Sequence, residues 1–169
     1  TLLTMYSHTG THMDPPAHLF AGRTTLDQFP VEQFIGRALV IHCPELAAGL
    51  PTPRLPAEIL GGTGGDVLAG RARIVESDGR DVTGHYQLAA WLALSAAREA
   101  GCQAALLTDG SPTCGSQFVY DGSFRGRRKA GAGVAADLLR AHGITVFSDG
   151  QIPQLLAWMA QREQDDDSM

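Results

Sequence analysis

Three of the six histidines and an aspartate fall in one short stretch, Ser7-His8-Thr9-Gly10-Thr11-His12-Met13-Asp14-Pro15-Pro16-Ala17-His18. In an extended chain His8, Gly10, His12 and Asp14 face one side, because strand side chains alternate. Two imidazoles and a carboxylate then converge, with Gly10 leaving space between them. Such a set suits Zn²⁺ or a similar divalent ion. His18, set further along, is free to act as a general base. The plainer alternative is a polar surface loop with incidental histidines.

A second set is spread along the chain. Cys43 and Cys114 are each flanked by Pro or Gly, and each follows an expected strand. Thiolates brought to one edge of a parallel sheet suit a soft metal or an iron–sulfur cluster. Glu45, two residues from Cys43, is placed to exchange protons beside such a metal. Ser111 offers a hydroxyl to orient water or substrate, and Arg54 a guanidinium for an anion or a carbonyl oxygen. A lone cysteine is more often an inert buried residue, and that reading is taken for Cys102, which ends a helix and sits in no motif.

The elements that must position these groups alternate. Strands are expected at residues 2–6, 38–42, 71–75, 103–108 and 144–147, from short, apolar and β-branched runs. Residues 25–35 read as helical turns, and residues 44–65 as loop, because Pro44, Pro51, Pro53 and Pro56 interrupt regular structure. The strongest helix spans 83–101, with Thr83 as N-cap and Gly101 as stop. Further helices are expected at 133–142 and 151–162. Residues 109–126 read as a loop. Trp91, Leu92, Leu138 and Leu139 are expected in the core. Leu155, Leu156 and Met159 form a stripe for docking on the body or on a second copy in a homo-oligomer. Arg125, Arg127, Arg128 and Lys129 read as a solvated loop, with a gate over a polar heterocycle as the sharper alternative. Strand and helix in alternation predict one α/β domain, a three-layer sandwich with a mainly parallel, Rossmann-like sheet. In such folds the chemistry sits in loops beyond the carboxyl ends of strands.

Composition narrows the partners. A chain of 169 residues fits a single domain large enough for a buried core. The net charge is −5, and the run Asp165-Asp166-Asp167 carries much of it. Without a basic field the chain is no general nucleic-acid binder. No apolar run spans a bilayer, and residues 1–6 do not read as a signal peptide. Three cysteines do not suggest a secreted disulfide framework, so a cytoplasmic protein acting on a small molecule is expected.

Two resemblances follow from these motifs. The stretch from His8 to His18, continued through residues 24–30 and 34–41, resembles the cyclase family that includes bacterial kynurenine formamidase. The resemblance implies His8, His12 and Asp14 as metal ligands and His18 as the catalytic histidine of a metal-dependent amidohydrolase. From Cys43 onward the chain resembles the thiouracil desulfidase family instead. The residues concerned are Cys43-Pro44-Glu45-Leu46, residues 49–54 and 56–59, Asp78-Gly79-Arg80-Asp81-Val82-Thr83, Ser111-Pro112-Thr113-Cys114-Gly115, Tyr120-Asp121-Gly122-Ser123-Phe124, and residues 131–139 and 143–148. This resemblance implies a [4Fe-4S] cluster on three cysteines, two of them matched by Cys43 and Cys114. It further implies Glu45 and Ser111 as the catalytic pair, with Thr113 standing where that family usually has Ser. The expected reaction is non-redox removal of sulfur from a thiocarbonyl compound. The chain then reads as a cyclase-like segment at 1–42, a desulfidase-like body at 43–149, and a helix and acidic tail at 150–169. The opening that supplies the third cysteine of that family has no match here. His8 or His12 is the expected substitute, as imidazole replaces thiolate in Rieske centres. The bland alternative is a hybrid chain with no assembled site.

Overall fold

The computed structural model describes residues 38–41 and 43–166, together with Gly22, Thr25 and Gln28, with side chains described as far as Arg162. These residues fall almost wholly in Leu39–Met169, the second of the two units into which the chain divides. In chain order the elements are α1 (Pro44–Ala47), β1 (Ala57–Leu60), α2 (Gly64–Leu68), β2 (Arg73–Glu76), α3 (Thr83–Glu99), β3 (Ala104–Leu107), β4 (Phe118–Tyr120), β5 (Arg128–Ala130), α4 (Val134–Ala141), β6 (Thr145–Ser148) and α5 (Ile152–Asp166). A single 3₁₀ turn, Asp149–Gln151, leads into α5.

The strands pair two by two. β1 and β2 are antiparallel, with Ala57 opposite Glu76. β4 and β5 are antiparallel, with Phe118 opposite Ala130. β3 and β6 are parallel, with Ala104 opposite Thr145 and Leu107 opposite Ser148. The fold is therefore mixed α/β, but among the described residues parallel pairing is confined to β3 and β6. The expected mainly parallel, Rossmann-like sheet is not formed there. Short returns such as the one from Tyr120 to Arg128 join antiparallel neighbours, whereas parallel pairing needs a crossover. The crossover from β3 to β6 contains α4, the βαβ unit that the alternation predicted.

The core gathers around α3. Tyr86, Ala89, Ala90, Ala93, Leu94 and Ala97 are its buried positions, a helical stripe whose small residues let α4 approach closely. From α4 come Val134, Ala135, Ala136, Leu138 and Leu139, all buried. Ile59 and Ile74 fill the space from β1 and β2 and are fully buried. Trp91 and Leu92 depart from expectation. They lie on the opposite side of α3 and are exposed, Trp91 by 51%. Alanines make up most of the buried stripe of this helix, so the large residues mislead.

Helix ends follow local chemistry. Gly101 has φ 67. Its N–H bonds to Arg98 O, and that of Cys102 to Ala97 O, the Schellman pattern that ends α3. Thr83 is the first helical residue rather than the cap. Its hydroxyl accepts a hydrogen bond from Ile74 N at 2.9 Å and ties α3 to β2. The expected strand at 38–42 is not seen in its described part. Ala38–Ile41 has no regular structure, and Val40 is 83% exposed. Conversely, the proline-rich stretch 44–65 holds α1, β1 and the start of α2. Pro44 opens a helix, where its missing N–H costs nothing, and Pro56 precedes a strand.

Two other expectations change. On α5 the docking residue is Trp158, edge-on to Phe147 with ring centroids 6.0 Å apart. Leu155 is half-buried, while Leu156 and Met159 are exposed. In the basic cluster the three arginines are exposed, but Lys129 is half-buried and donates to Ile59 O at 3.2 Å. Burial lowers the pKa of Lys129. The turn before this cluster is pinned by buried Glu58, whose carboxylate accepts from Gly122 N at 2.9 Å and Phe124 N at 3.0 Å.

Candidate functional site

The loop after β3 supplies one side of the site. It leaves the carboxyl end of the parallel strand, as α/β folds lead one to expect. Ser111 Oγ accepts from Thr113 N at 3.1 Å and Cys114 N at 3.2 Å, so its own proton is free to point elsewhere. From behind, the first N–H groups of α4 reach the loop carbonyls. Val134 N donates to Pro112 O and Ala135 N to Thr113 O, both at 2.9 Å. Gly133 allows this approach, since a Cβ there would lie 2.5 Å from Thr113 O. Asp109 Oδ1 closes the loop by accepting from Ser116 N at 2.6 Å and Gln117 N at 2.9 Å. Burial opposes the charge of Asp109, but these hydrogen bonds outweigh it and hold its pKa below the usual range.

The second side comes from Cys43 to Arg54. Cys43 precedes α1 with φ 43, a left-handed conformation uncommon outside glycine. Its thiol lies 3.2 Å from Glu45 Oε2. Both terminal nitrogens of Arg54 lie 3.4 Å from the same sulfur, and Nη2 lies 3.5 Å from Glu45 Oε2. Glu45 is buried, and its other oxygen, Oε1, accepts a hydrogen bond from the Thr113 hydroxyl across 68 residues of sequence. That bond joins the two sides.

Cys114 feels the same groups. Burial pushes its thiol up to about 11, the nearby Glu45 carboxylate adds to this, and the Ser111 hydroxyl opposes it. The field of Cys43 raises it further, while that of Arg54 lowers it. Tyr86, on the first turns of α3, is buried against the same cluster. Burial raises its pKa, and Arg54 opposes the rise.

Cys43, Glu45, Arg54, Ser111 and Cys114 are thus drawn together. Arg54 rests on the Cys43 sulfur and Glu45. Cys102 is half-buried against the core. His8, His12, Asp14 and His18 lie outside the described residues. Among the described residues no group of three or more His, Cys, Asp or Glu is arranged to hold a metal. Sequence reasoning passed over the Thr113 hydroxyl, Tyr86 and Asp109. Nothing in the sequence marked Tyr86 apart from its neighbours on an apolar face. Asp109, directly after a strand and ahead of a Gly-Ser-Pro run, carries a loop-bracing signal that was there to be read.

A model of the 2-thiouracil desulfurase family matches residues 20–151. The chain belongs to that family. The match starts at residue 20, inside the 1–42 segment that resembles the cyclase family. Among relatives, an uncharacterized protein of Bacillus subtilis (strain 168), YbbK, is 47% identical over 117 residues, covering 69% of this chain and 78% of its own. Among solved structures, the [4Fe-4S]-dependent thiouracil desulfidase TudS is 44% identical with a TM-score of 0.62. That similarity covers 70% of this chain and 72% of the desulfidase. A desulfidase-type enzyme is the general function that this membership supports. No helix among the described residues is long and apolar enough to cross a membrane.

Proposed function

We propose that the protein removes sulfur from a small thiocarbonyl compound of the thiouracil type by non-redox hydrolysis. The observation that carries this reading is the hydrogen bond from Thr113 to Glu45. It sets the residue beside Cys114 against the carboxylate beside Cys43. Two thiols, a carboxylate and a hydroxyl then share one pocket.

The donor set fits an iron–sulfur cluster as far as it extends. Both cysteines are half-buried, and a guanidinium lies against the Cys43 sulfur, as hydrogen-bond donors do around cluster thiolates. Cys43 and Cys114 would hold the cluster, two of the ligands that it needs. When bound, the cluster supplies an iron with affinity for the thiocarbonyl sulfur.

The remaining work falls to the chain. Glu45 takes a proton from the attacking water at Oε2 and returns it to the departing sulfur. Ser111, whose acceptor positions are engaged by two backbone N–H groups, donates its proton toward the water or the substrate. Arg54 keeps positive charge beside the cysteine sulfur and Glu45. In the net reaction the C=S bond breaks, a C=O bond forms, and the two protons of water leave with sulfur as hydrogen sulfide. No electron acceptor is required.

The test is anaerobic reconstitution with iron and sulfide, followed by ultraviolet–visible and electron paramagnetic resonance spectra and an assay of thiouracil conversion to uracil. A cluster spectrum with release of sulfide supports the reading. A protein that binds iron in no form and leaves thiouracil unchanged would end it.

A further inference from the structure

Glu45 stands on a helix of four residues in a proline-rich stretch, yet its side chain is buried. A buried carboxylate is stabilised when both of its oxygens find partners. Oε2 meets Cys43 and Arg54 on its own side of the pocket. Oε1 meets Thr113 on the other.

Thr113 is itself immobile. It is fully buried. Its N–H is taken by Ser111 Oγ at 3.1 Å, and its carbonyl accepts from Ala135 N at 2.9 Å and Ala136 N at 3.3 Å. Gly133 packs against the same carbonyl from behind. The backbone of Thr113 is therefore set by α4 and the loop. Threonine, branched at Cβ, then has few rotamers in which to place its hydroxyl.

We infer that Thr113 is a positioning residue for the proposed reaction: its hydroxyl latches Glu45 Oε1, so that Oε2 is the oxygen that works beside Cys43. The inference rests on the function proposed above. It gives a role to a residue that touches no substrate and acts through Glu45. The loop side is held by backbone bonds, and the Thr113–Glu45 bond joins the α1 side to it.

The experiment uses the reconstituted protein and Thr113→Val, which removes the hydroxyl at nearly constant volume. We expect kcat on thiouracil to fall about 10- to 100-fold, the range for a hydrogen bond to a charged group, with KM within about twofold. Iron content and the cluster spectrum stay at wild-type levels. Thr113→Ser keeps the hydroxyl and restores kcat to within about threefold. If Thr113→Val does not fold, Thr113→Ala, which leaves room for a water, carries the same arms. A second readout needs no activity. In metal-free protein, Thr113→Val and Glu45→Ala each lower Tm, and the double variant lowers it by less than the sum. Additive shifts, an unchanged kcat in Thr113→Val, or loss of iron from that variant would overturn the latch. A wild-type protein that leaves thiouracil untouched overturns the functional reading instead, while the Tm cycle still decides the latch.

Discussion

The two sides of the pocket are held by different means. The loop from Asp109 to Gln117 is fixed by backbone groups: α4 N–H groups on its carbonyls, Gly133 against Thr113 O, and Asp109 on the N–H groups of Ser116 and Gln117. The stretch from Cys43 to Arg54 has a four-residue helix whose backbone bonds are local, such as Leu50 N to Glu45 O at 3.0 Å. Its link across the pocket is a side chain, Glu45, which accepts from the Thr113 hydroxyl. One side is a rigid template and the other is seated on it. The template should therefore be sensitive to changes of backbone space and indifferent to most side-chain chemistry. The seated side should respond in the opposite way.

The largest effect expected from this contrast is on catalysis. Glu45→Gln keeps the shape and an acceptor for Thr113 but removes the base. We expect kcat to fall about 10²- to 10⁴-fold, measured as sulfide release, with little change in thermal midpoint. A midpoint that drops as far as the rate does would mean that the carboxylate is chiefly structural. Next is Gly133→Ala on the template. Its Cβ would lie 2.5 Å from Thr113 O, a backbone atom that cannot step aside. A loss of about 3 kcal/mol or more is expected in urea unfolding. Gly84→Ala is the control. A Cβ there meets nothing within 4 Å, so the same substitution in the first turn of α3 should be neutral or stabilising by about 0.5–1 kcal/mol.

What the sequence disclosed divides along the same line. The helix at 83–101 was legible, because its length and its stop at Gly101 are local features, and the structure places it at Thr83–Glu99. The β3–α4–β6 unit was legible for the same reason. The sheet was not. A run such as Ala38-Leu39-Val40-Ile41 has the composition of a buried strand, but composition does not supply a pairing partner, and Val40 is largely exposed. The prolines of 44–65 concealed α1 and β1, since the rule that they interrupt structure fails at first turns and strand starts. In the site, the reactive types were visible at Cys43, Glu45, Ser111 and Cys114. The groups that hold them were not. Thr113 and Asp109 matter through contacts that exist only after folding, and Arg54 meets Cys43 rather than standing free.

The thiol on the template gives a pH signature. In metal-free protein Cys114 is raised from 9.0 to about 11, so between these values the unfolded chain ionises while the folded chain keeps its proton. Unfolding then releases a proton, and stability must fall with rising pH. The full contribution is present below pH 9 and is lost as pH approaches 11. A shift of this size corresponds to about 2–3 kcal/mol. Tyr86, raised chiefly by burial, acts in the same direction at higher pH, so the comparison is with Cys114→Ala. Urea midpoints of the two proteins should converge as pH rises from 9 to 11. Parallel curves would place Cys114 in contact with water rather than on a dry template.

The smallest effect separates charge from geometry at Asp109. All three of its hydrogen bonds to Ser116 and Gln117 end on Oδ1. Asparagine retains an oxygen at that position, so Asp109→Asn loses charge assistance but not the bonds. A cost of about 1 kcal/mol is expected. Asp109→Ala removes the acceptor and leaves the Ser116 and Gln117 N–H groups without it, for about 2–3 kcal/mol. If the template is one unit, Asp109→Ala and Gly133→Ala disturb the same loop from its two ends, and their combined cost is less than the sum. Additive costs would instead mean that the strand end and the α4 contact hold the loop independently. Cys114 would then keep its alkaline signature after either single change, since each remaining support would suffice to keep the thiol out of water.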